Sequence, residues 1–178
     1  MKIKNLKLKI TPLISPLIII IFAVILRLIP HPANVTPIAA MALFGGVYLN
    51  KKYALIVPIL VLFISDLFLG FHAGIGLVYI GFFLTGVIGL SIAKHKNVIN
   101  VVSATLLSSV LFFLLTNFNY WYAASLYPKT LEGLALSYLN ALPFFRNSLI
   151  GDLLYVGLFF GAYETVLMLV KKSASVKA

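Results

Sequence analysis

Six runs of apolar residues, each closed by turn residues or by lysines, constrain this chain more than any other feature. They cover roughly residues 12–29, 34–49, 53–69, 75–93, 98–116 and 149–170. Crossing a bilayer as a helix takes ~20 mostly apolar residues. Of the 178 residues 62% are apolar and only 10% are charged. So few charges cannot solvate a globular surface, which excludes a soluble enzyme and a disordered tail. The expected fold is an all-α membrane protein with about six transmembrane helices. One integral-membrane domain over 12–170 follows a basic N-terminus, 1–11, and precedes a basic tail, 171–178. The first run imitates a secretory signal, but it is too long for one and ends in Arg27-Leu28-Ile29-Pro30 rather than a small-residue cleavage site. It reads as a retained span.

The net charge of +10 would suggest nucleic acid in a soluble chain, but its placement gives a different answer. With six spans and the N-terminus inside, Lys2, Lys4, Lys7, Lys9, Lys51, Lys52, Lys94, Lys96, Lys171, Lys172 and Lys177 lie inside. Arg27, Lys129 and Arg146 lie outside. Basic residues gather on the cytoplasmic side of membrane proteins, so both termini are expected in the cytoplasm of a multi-pass protein of the plasma or inner membrane. No nucleic-acid partner is expected. Cysteine is absent, which removes disulfides and thiolate chemistry.

Residues 117–147 differ in character. Asn117, Asn119, Tyr120, Trp121, Tyr122 and Tyr127 form the aromatic and amide mixture of a membrane–water interface. Leu131, Leu134, Ala135, Tyr138, Leu139 and Leu142 then fall on one helical face. An interfacial amphipathic helix over 131–142 is expected, capped by Thr130, stopped by Pro143 and lying on the membrane. Thr36 and Pro37 read as the N-cap and first residue of the second span's helix.

Once the spans are placed, the polar residues gather at their outer ends. Arg27 closes the first span, and His31, Asn34 and Thr36 line the turn after it. Asp66 lies one turn below the outer end of the third span, with His72 in the loop beyond. Arg146 and Asn147 precede the last span and Asp152 lies one turn inside it. Ionisable groups inside a membrane are costly and mark substrate or ion sites by default. Two readings stand side by side. Arg27 and Arg146 could each fasten one aspartate as structural ion pairs. The same groups could instead line an outward-facing pocket, with Asn117, Asn119 and Trp121 supplying hydrogen bonds and stacking.

Other chemistries find less support. His31, His72, Asp66 and Asp152 lack any metal-ligand spacing, so no metal site is expected. No nucleophile, zinc or nucleotide-phosphate motif is present. An enzyme is not expected, and nothing in the sequence asks for a cofactor. His95 reads as a solvated cytoplasmic residue. Glu164 stands two turns from Lys171 on one face and is expected to pair with it. Ala42-x-x-x-Gly46 and Gly157-x-x-x-Gly161 are small-residue patterns that let helices approach closely, as do the glycines of the fourth run.

The stretch 27–40, RLIPHPANVTPIAA, resembles the opening signature of a family of uncharacterised bacterial membrane proteins. That family is a domain of unknown function whose members are labelled as transport proteins. The resemblance continues through Ala42-Leu43-Phe44-Gly45-Gly46, Ser65-Asp66, Leu115-Thr116-Asn117-Phe118, Tyr127-Pro128 and the stretch from Pro143 to Asp152. In size and layout the chain is also similar to the substrate-binding S components of energy-coupling-factor transporters, although their first-helix Ala-x-x-x-Ala pattern is absent from 12–29. That similarity implies a capping loop containing His31, Asn34 and Thr36, and a pocket lined by Asp66, Asn117, Trp121 and Asp152. It further implies a transmembrane coupling protein and ATPase subunits as partners.

The expected function is therefore transport: binding of a small polar solute at the outer face, as the substrate-binding part of a larger assembly in the lipid bilayer. The alternative is a membrane scaffold or assembly protein whose polar cluster is structural ion pairing.

Overall fold

The computed structural model describes residues 22, 24–71, 74–123 and 126–176. Most of the first apolar run, the basic N-terminus, His72 and Lys177 lie outside them. Among the described residues the structure is helical, with no strand. Residues 24–28 form a helical turn, and five helices follow: α1 (Ile38–Tyr48), α2 (Lys51–Leu69), α3 (Ile75–Ile92), α4 (Val98–Ala123) and α5 (Leu131–Val176). Helices α2, α3, α4 and the Leu131–Leu169 part of α5 are long and apolar enough to cross a membrane, whereas α1 is an apolar helix of only 11 residues.

Local sequence sets the helix starts. The Asn50 side chain accepts the Lys52 N–H (3.2 Å) at α2, and Asn97 Oδ1 accepts the Asn100 N–H (2.8 Å) at α4. Thr130 Oγ1 accepts the Gly133 N–H (3.1 Å), the cap expected for it. Thr36 does not cap: Pro37 occupies the N-cap of α1, with no side-chain bond to the free N–H groups.

The short helix is the hub. It touches each of the other four helices, while α2, α3, α4 and α5 pack as successive neighbours around it. This is possible because α1 is built from small residues. Ala40, Ala42, Gly45 and Gly46 are buried, and only Ile38, Met41 and Leu43 add bulk to its buried face. Val57, Val61 and Leu62 of α2 and Phe82 of α3 complete one apolar cluster with it. Val101 and Ala104 of α4 and Val156 and Phe160 of α5 complete another.

Residues 131–142 correct the expectation of a separate surface helix. Pro143 does not stop it, and one helix runs from Leu131 to Val176. Proline removes a single backbone bond and is exposed here; membrane helices tolerate such a gap where neighbours or local adjustment meet the freed carbonyl. Most of the apolar stripe faces away from the rest of the protein. Leu131 is 85% exposed and Leu139 and Leu142 are exposed, whereas Gly133 and Ser137 are buried. Ser137 donates to the Asn117 carbonyl (3.0 Å) and Tyr138 to the Leu114 carbonyl (2.9 Å), so this segment packs along α4. In an apolar solvent no hydrophobic force drives helices together, and small and polar residues make the contacts instead.

Glu164 pairs with Lys96; the side chain of Lys171, its expected partner, lies outside those described. Lys96 Nζ is 2.7 Å from Glu164 Oε1, and Tyr48 donates its hydroxyl to the same oxygen (2.5 Å). The three tie the end of α1 to α5 and to the turn before α4. The Gly157-x-x-x-Gly161 pattern has no neighbour within 4 Å of where side chains would start. Gly157→Ala and Gly161→Ala are therefore expected to change stability by no more than about 0.5–1 kcal/mol, with any change toward greater stability. Thermal unfolding of the purified protein checks this, and a large loss would mean that the face is packed.

Candidate binding cavity

The segment from Ile29 to Pro37 shapes the site. The Ile29 N–H makes a last helical bond to the Ile25 carbonyl (3.1 Å). Pro30 and Pro32 lack N–H groups and take the chain out of the helix. A turn then closes through Val35 N–H to the Pro32 carbonyl (3.1 Å), with Asn34 at φ 64°, a conformation asparagine tolerates. Pro37 and Ile38 are buried, so the segment descends into the protein before α1 begins.

Behind this segment lies a cavity of about 780 Å³, within the ~300–1,000 Å³ range of small-molecule sites. Its wall is contributed by the 33–36 segment, α1, α3, α4 and α5. Six of the twelve residues expected at the site line it: Arg27, Asn34, Thr36, Asn117, Asn119 and Asp152. Gly74, with φ 87°, starts α3 against the Asn119 side chain and leaves no room for a Cβ there.

The other expected residues stand elsewhere. Asp66 is 3% exposed and bonded on both oxygens. Oδ1 is 2.7 Å from Arg27 Nη2, and Oδ2 accepts the Tyr79 hydroxyl (2.9 Å). Arg27 also donates to Ser65 Oγ and to the Leu62 carbonyl (3.3 Å). The pairing of Arg27 with one aspartate is thus present, and Asp66 fixes Arg27 at the cavity edge without lining the cavity. Arg146 does not pair with Asp152. Because α5 is continuous, the two lie six residues apart on one helix, about 240° around its axis. Arg146 faces outward and makes no ion pair among the described residues, while Asp152 accepts the Ser109 hydroxyl (2.7 Å).

His31 folds back on the end of its helical turn, with Nε2 3.3 Å from the Arg27 carbonyl and Nδ1 3.1 Å from that of Pro32. Trp121 donates Nε1–H to the Pro128 carbonyl (2.9 Å) and accepts from Lys129 on its own carbonyl, so it fastens the α4–α5 connection and does not line the cavity. Asn147 reaches the Ala33 carbonyl at 3.5 Å, linking α5 to the 33–36 segment. His72 lies outside the described residues. Among the described residues no group of three His, Cys, Asp or Glu side chains is placed to hold a metal ion.

Several cavity residues escaped the sequence reading: Ser109, Thr116, Ser137, Asn140 and Ser148. A usable signal existed for Ser109 and Thr116, which lie inside an apolar run, where serine and threonine turn toward protein or a cavity rather than lipid.

The fold and cavity define a class: an all-helical protein with several helices fit to cross a membrane, packed around a short central helix beside a polar-lined cavity. The chain belongs to a family of unknown function (DUF6580), whose profile matches residues 7–175. No curated protein and no solved structure matches it.

Proposed function

We propose that this chain is a multi-pass cell-membrane protein that captures a small polar solute from the outer side, as the substrate-binding subunit of a larger transporter. The observation that carries this reading is the 780 Å³ cavity. Its lining mixes amides (Asn34, Asn117, Asn119, Asn140), hydroxyls and aromatic rings, the composition that orients a polar ligand inside an otherwise apolar pocket.

The basic residues set the orientation. Lys51, Lys52, Lys94 and Lys96 stand at the ends of α1–α4 away from the cavity, which puts those ends in the cytoplasm. Both termini then lie inside and the first run completes six crossings. At ~1.5 Å per residue, α1 reaches only about 16 Å, half of the ~30 Å hydrocarbon core. The 30–37 segment therefore occupies the outer half of the membrane as non-helical backbone. Such backbone is tolerated at that depth where it lines a cavity. A transmembrane coupling protein and ATPase subunits are the partners that the energy-coupling-factor analogy supplies.

Native mass spectrometry on protein purified gently from its own host tests the reading. The expected spectrum carries a small-molecule adduct. Asn117→Ala combined with Asn140→Ala removes two hydrogen-bonding groups from the wall and is expected to weaken retention by about 10- to 100-fold. A chain with no adduct, or an adduct retained equally in the variant, rejects solute capture. Envelope-assembly proteins co-purifying with a bare chain would favour the scaffold, for which the buried Arg27–Asp66 pair serves as a tether.

A further inference from the structure

Beneath the cavity lies a second polar cluster, which shares Ser109 and Asp152 with the cavity wall. Thr85 on α3, Thr105, Ser108 and Ser109 on α4 and Asp152 on α5 are all buried, none more than 8% exposed. Thr85, Thr105, Ser108 and Asp152 line one small void that has no room for a water molecule.

The hydrogen bonds in this cluster leave oxygens in surplus. Thr85 donates to the Gly81 carbonyl (3.0 Å) and Thr105 to the Val101 carbonyl (2.8 Å). With their single protons directed along their own helices, these hydroxyls have only lone pairs to offer the void. Ser109 Oγ lies 2.9 Å from the Thr105 carbonyl and 2.7 Å from Asp152 Oδ2, two acceptors for one proton. Ser108 Oγ has no partner, although it is only 3% exposed. A buried hydroxyl without a partner calls for an explanation, and here water does not fit.

Charge points the same way. A carboxylate out of water needs a counter-charge, and among the described residues no side chain forms an ion pair with Asp152. Helix α1 faces the void with Ala39, Ala40 and Leu43. Among residues lining either cavity, the other titratable groups are Arg27, Tyr120 and Tyr127, and Arg27 is held by Asp66. We propose that Asp152, Ser108, Thr85 and Thr105 form a sodium site. One carboxylate with neutral hydroxyl oxygens is a hard, all-oxygen donor set of single negative charge, suited to a hard monovalent cation. A void too narrow for water admits a dehydrated Na⁺ more readily than the larger K⁺. Ser108 stands ten residues into α4, about 15 Å along it, which is near the middle of a ~30 Å membrane core. Asp152 also forms part of the large cavity's wall, so the ion and the solute share a boundary. The sodium site stands whether or not a solute is captured.

The test uses the purified full chain in detergent at alkaline pH, in choline chloride, with no solute added. Equilibrium binding of radioactive Na⁺ is expected to saturate at one ion per chain, and NaCl is expected to raise the melting temperature where equal KCl does not. Asp152→Asn should abolish both responses and Ser108→Ala should weaken Na⁺ binding by about tenfold. Ser108→Ala removes only an unpartnered hydroxyl and so keeps the test decisive if Asp152→Asn does not fold. Absence of Na⁺ binding, an equal response to KCl, or Na⁺ binding unchanged in Ser108→Ala and Asp152→Asn overturns the site. So does a melting temperature that follows pH alone through Asp152, which would make the group a proton site. Because no solute takes part, failure here leaves the solute adduct untouched, and the reverse holds as well.

Discussion

Asp66→Asn is expected to destabilise the protein by ~3–5 kcal/mol, the penalty for breaking a buried ion pair from one side. The size follows from what each partner would lose. Arg27 presents one nitrogen to Asp66 Oδ1 at 2.7 Å and another to Ser65 Oγ and the Leu62 carbonyl. Those neutral acceptors remain in the variant and so does the guanidinium charge, but its counter-charge is gone. Tyr79 would face an amide in place of a carboxylate oxygen. Replacing both charges, as Arg27→Met with Asp66→Asn, is expected to recover most of the loss, because a neutral pair has no charge to desolvate and the amide oxygen that replaces the carboxylate still accepts the Tyr79 hydroxyl. The Lys96–Glu164 pair supplies the contrast. Its side chains are 38% and 43% exposed, and Lys96→Met should cost only ~0–1 kcal/mol. Thermal unfolding of the three variants and the wild type in one detergent decides the matter. If Asp66→Asn melted like the wild type yet lost a co-purified solute, Asp66 would be a ligand group and not a tether.

The legible parts of this fold are those in which a single residue type acts over a short range. The apolar runs gave α2, α3 and α4 because length and hydropathy alone qualify a helix to span. Thr130 caps α5 through a contact three residues away, and Arg27 meets Asp66 because both lie near the same ends of adjacent segments. What stayed hidden depended on the solvent and on three-dimensional register. The stripe from Leu131 to Leu142 has the right period and most of its leucines face out, but period alone did not show that the opposite face would pack along α4 and bring Ser137 and Asn140 to the cavity. Pro143 reads as a stop in water and passes as a helix interior here. That continuity puts Arg146 and Asp152 on one helix, turned away from each other. Glu164 meets Lys96 and Tyr48, 68 and 116 residues distant, contacts that no local spacing announces. The site was legible as a set of polar residues at one end of the bundle; the wall from Ser109 to Ser148 needed the packing.

The crossing of α1 over α3 admits no side chain, and this makes its glycines the second place where a small change should have a large effect. A Cβ added at Gly46 would lie 2.7 Å from both the Gly89 Cα and the Leu90 nitrogen. One added at Gly89 would lie 2.5 Å from the Leu43 carbonyl oxygen and 3.0 Å from the Gly46 Cα. These neighbours are backbone atoms, so no rotamer change relieves the contact and the two helices must separate. Gly46→Ala and Gly89→Ala are each expected to cost ~1–3 kcal/mol, the usual range for overpacking, despite alanine's better helix propensity. The double variant should cost clearly less than the sum, since the separation forced by one methyl makes room for the other; contacting sites couple in this way. Helix α1 touches every other helix and contributes Ile38 and Ala39 to the large cavity, so its displacement also reshapes the cavity wall. Solute retention should therefore fall in step with stability, whereas Gly157→Ala leaves both unchanged. Additive costs at Gly46 and Gly89 would show that the two methyls meet separate obstacles. Neutral single variants would show that α1 and α3 do not approach this closely, and the hub would have to be redrawn.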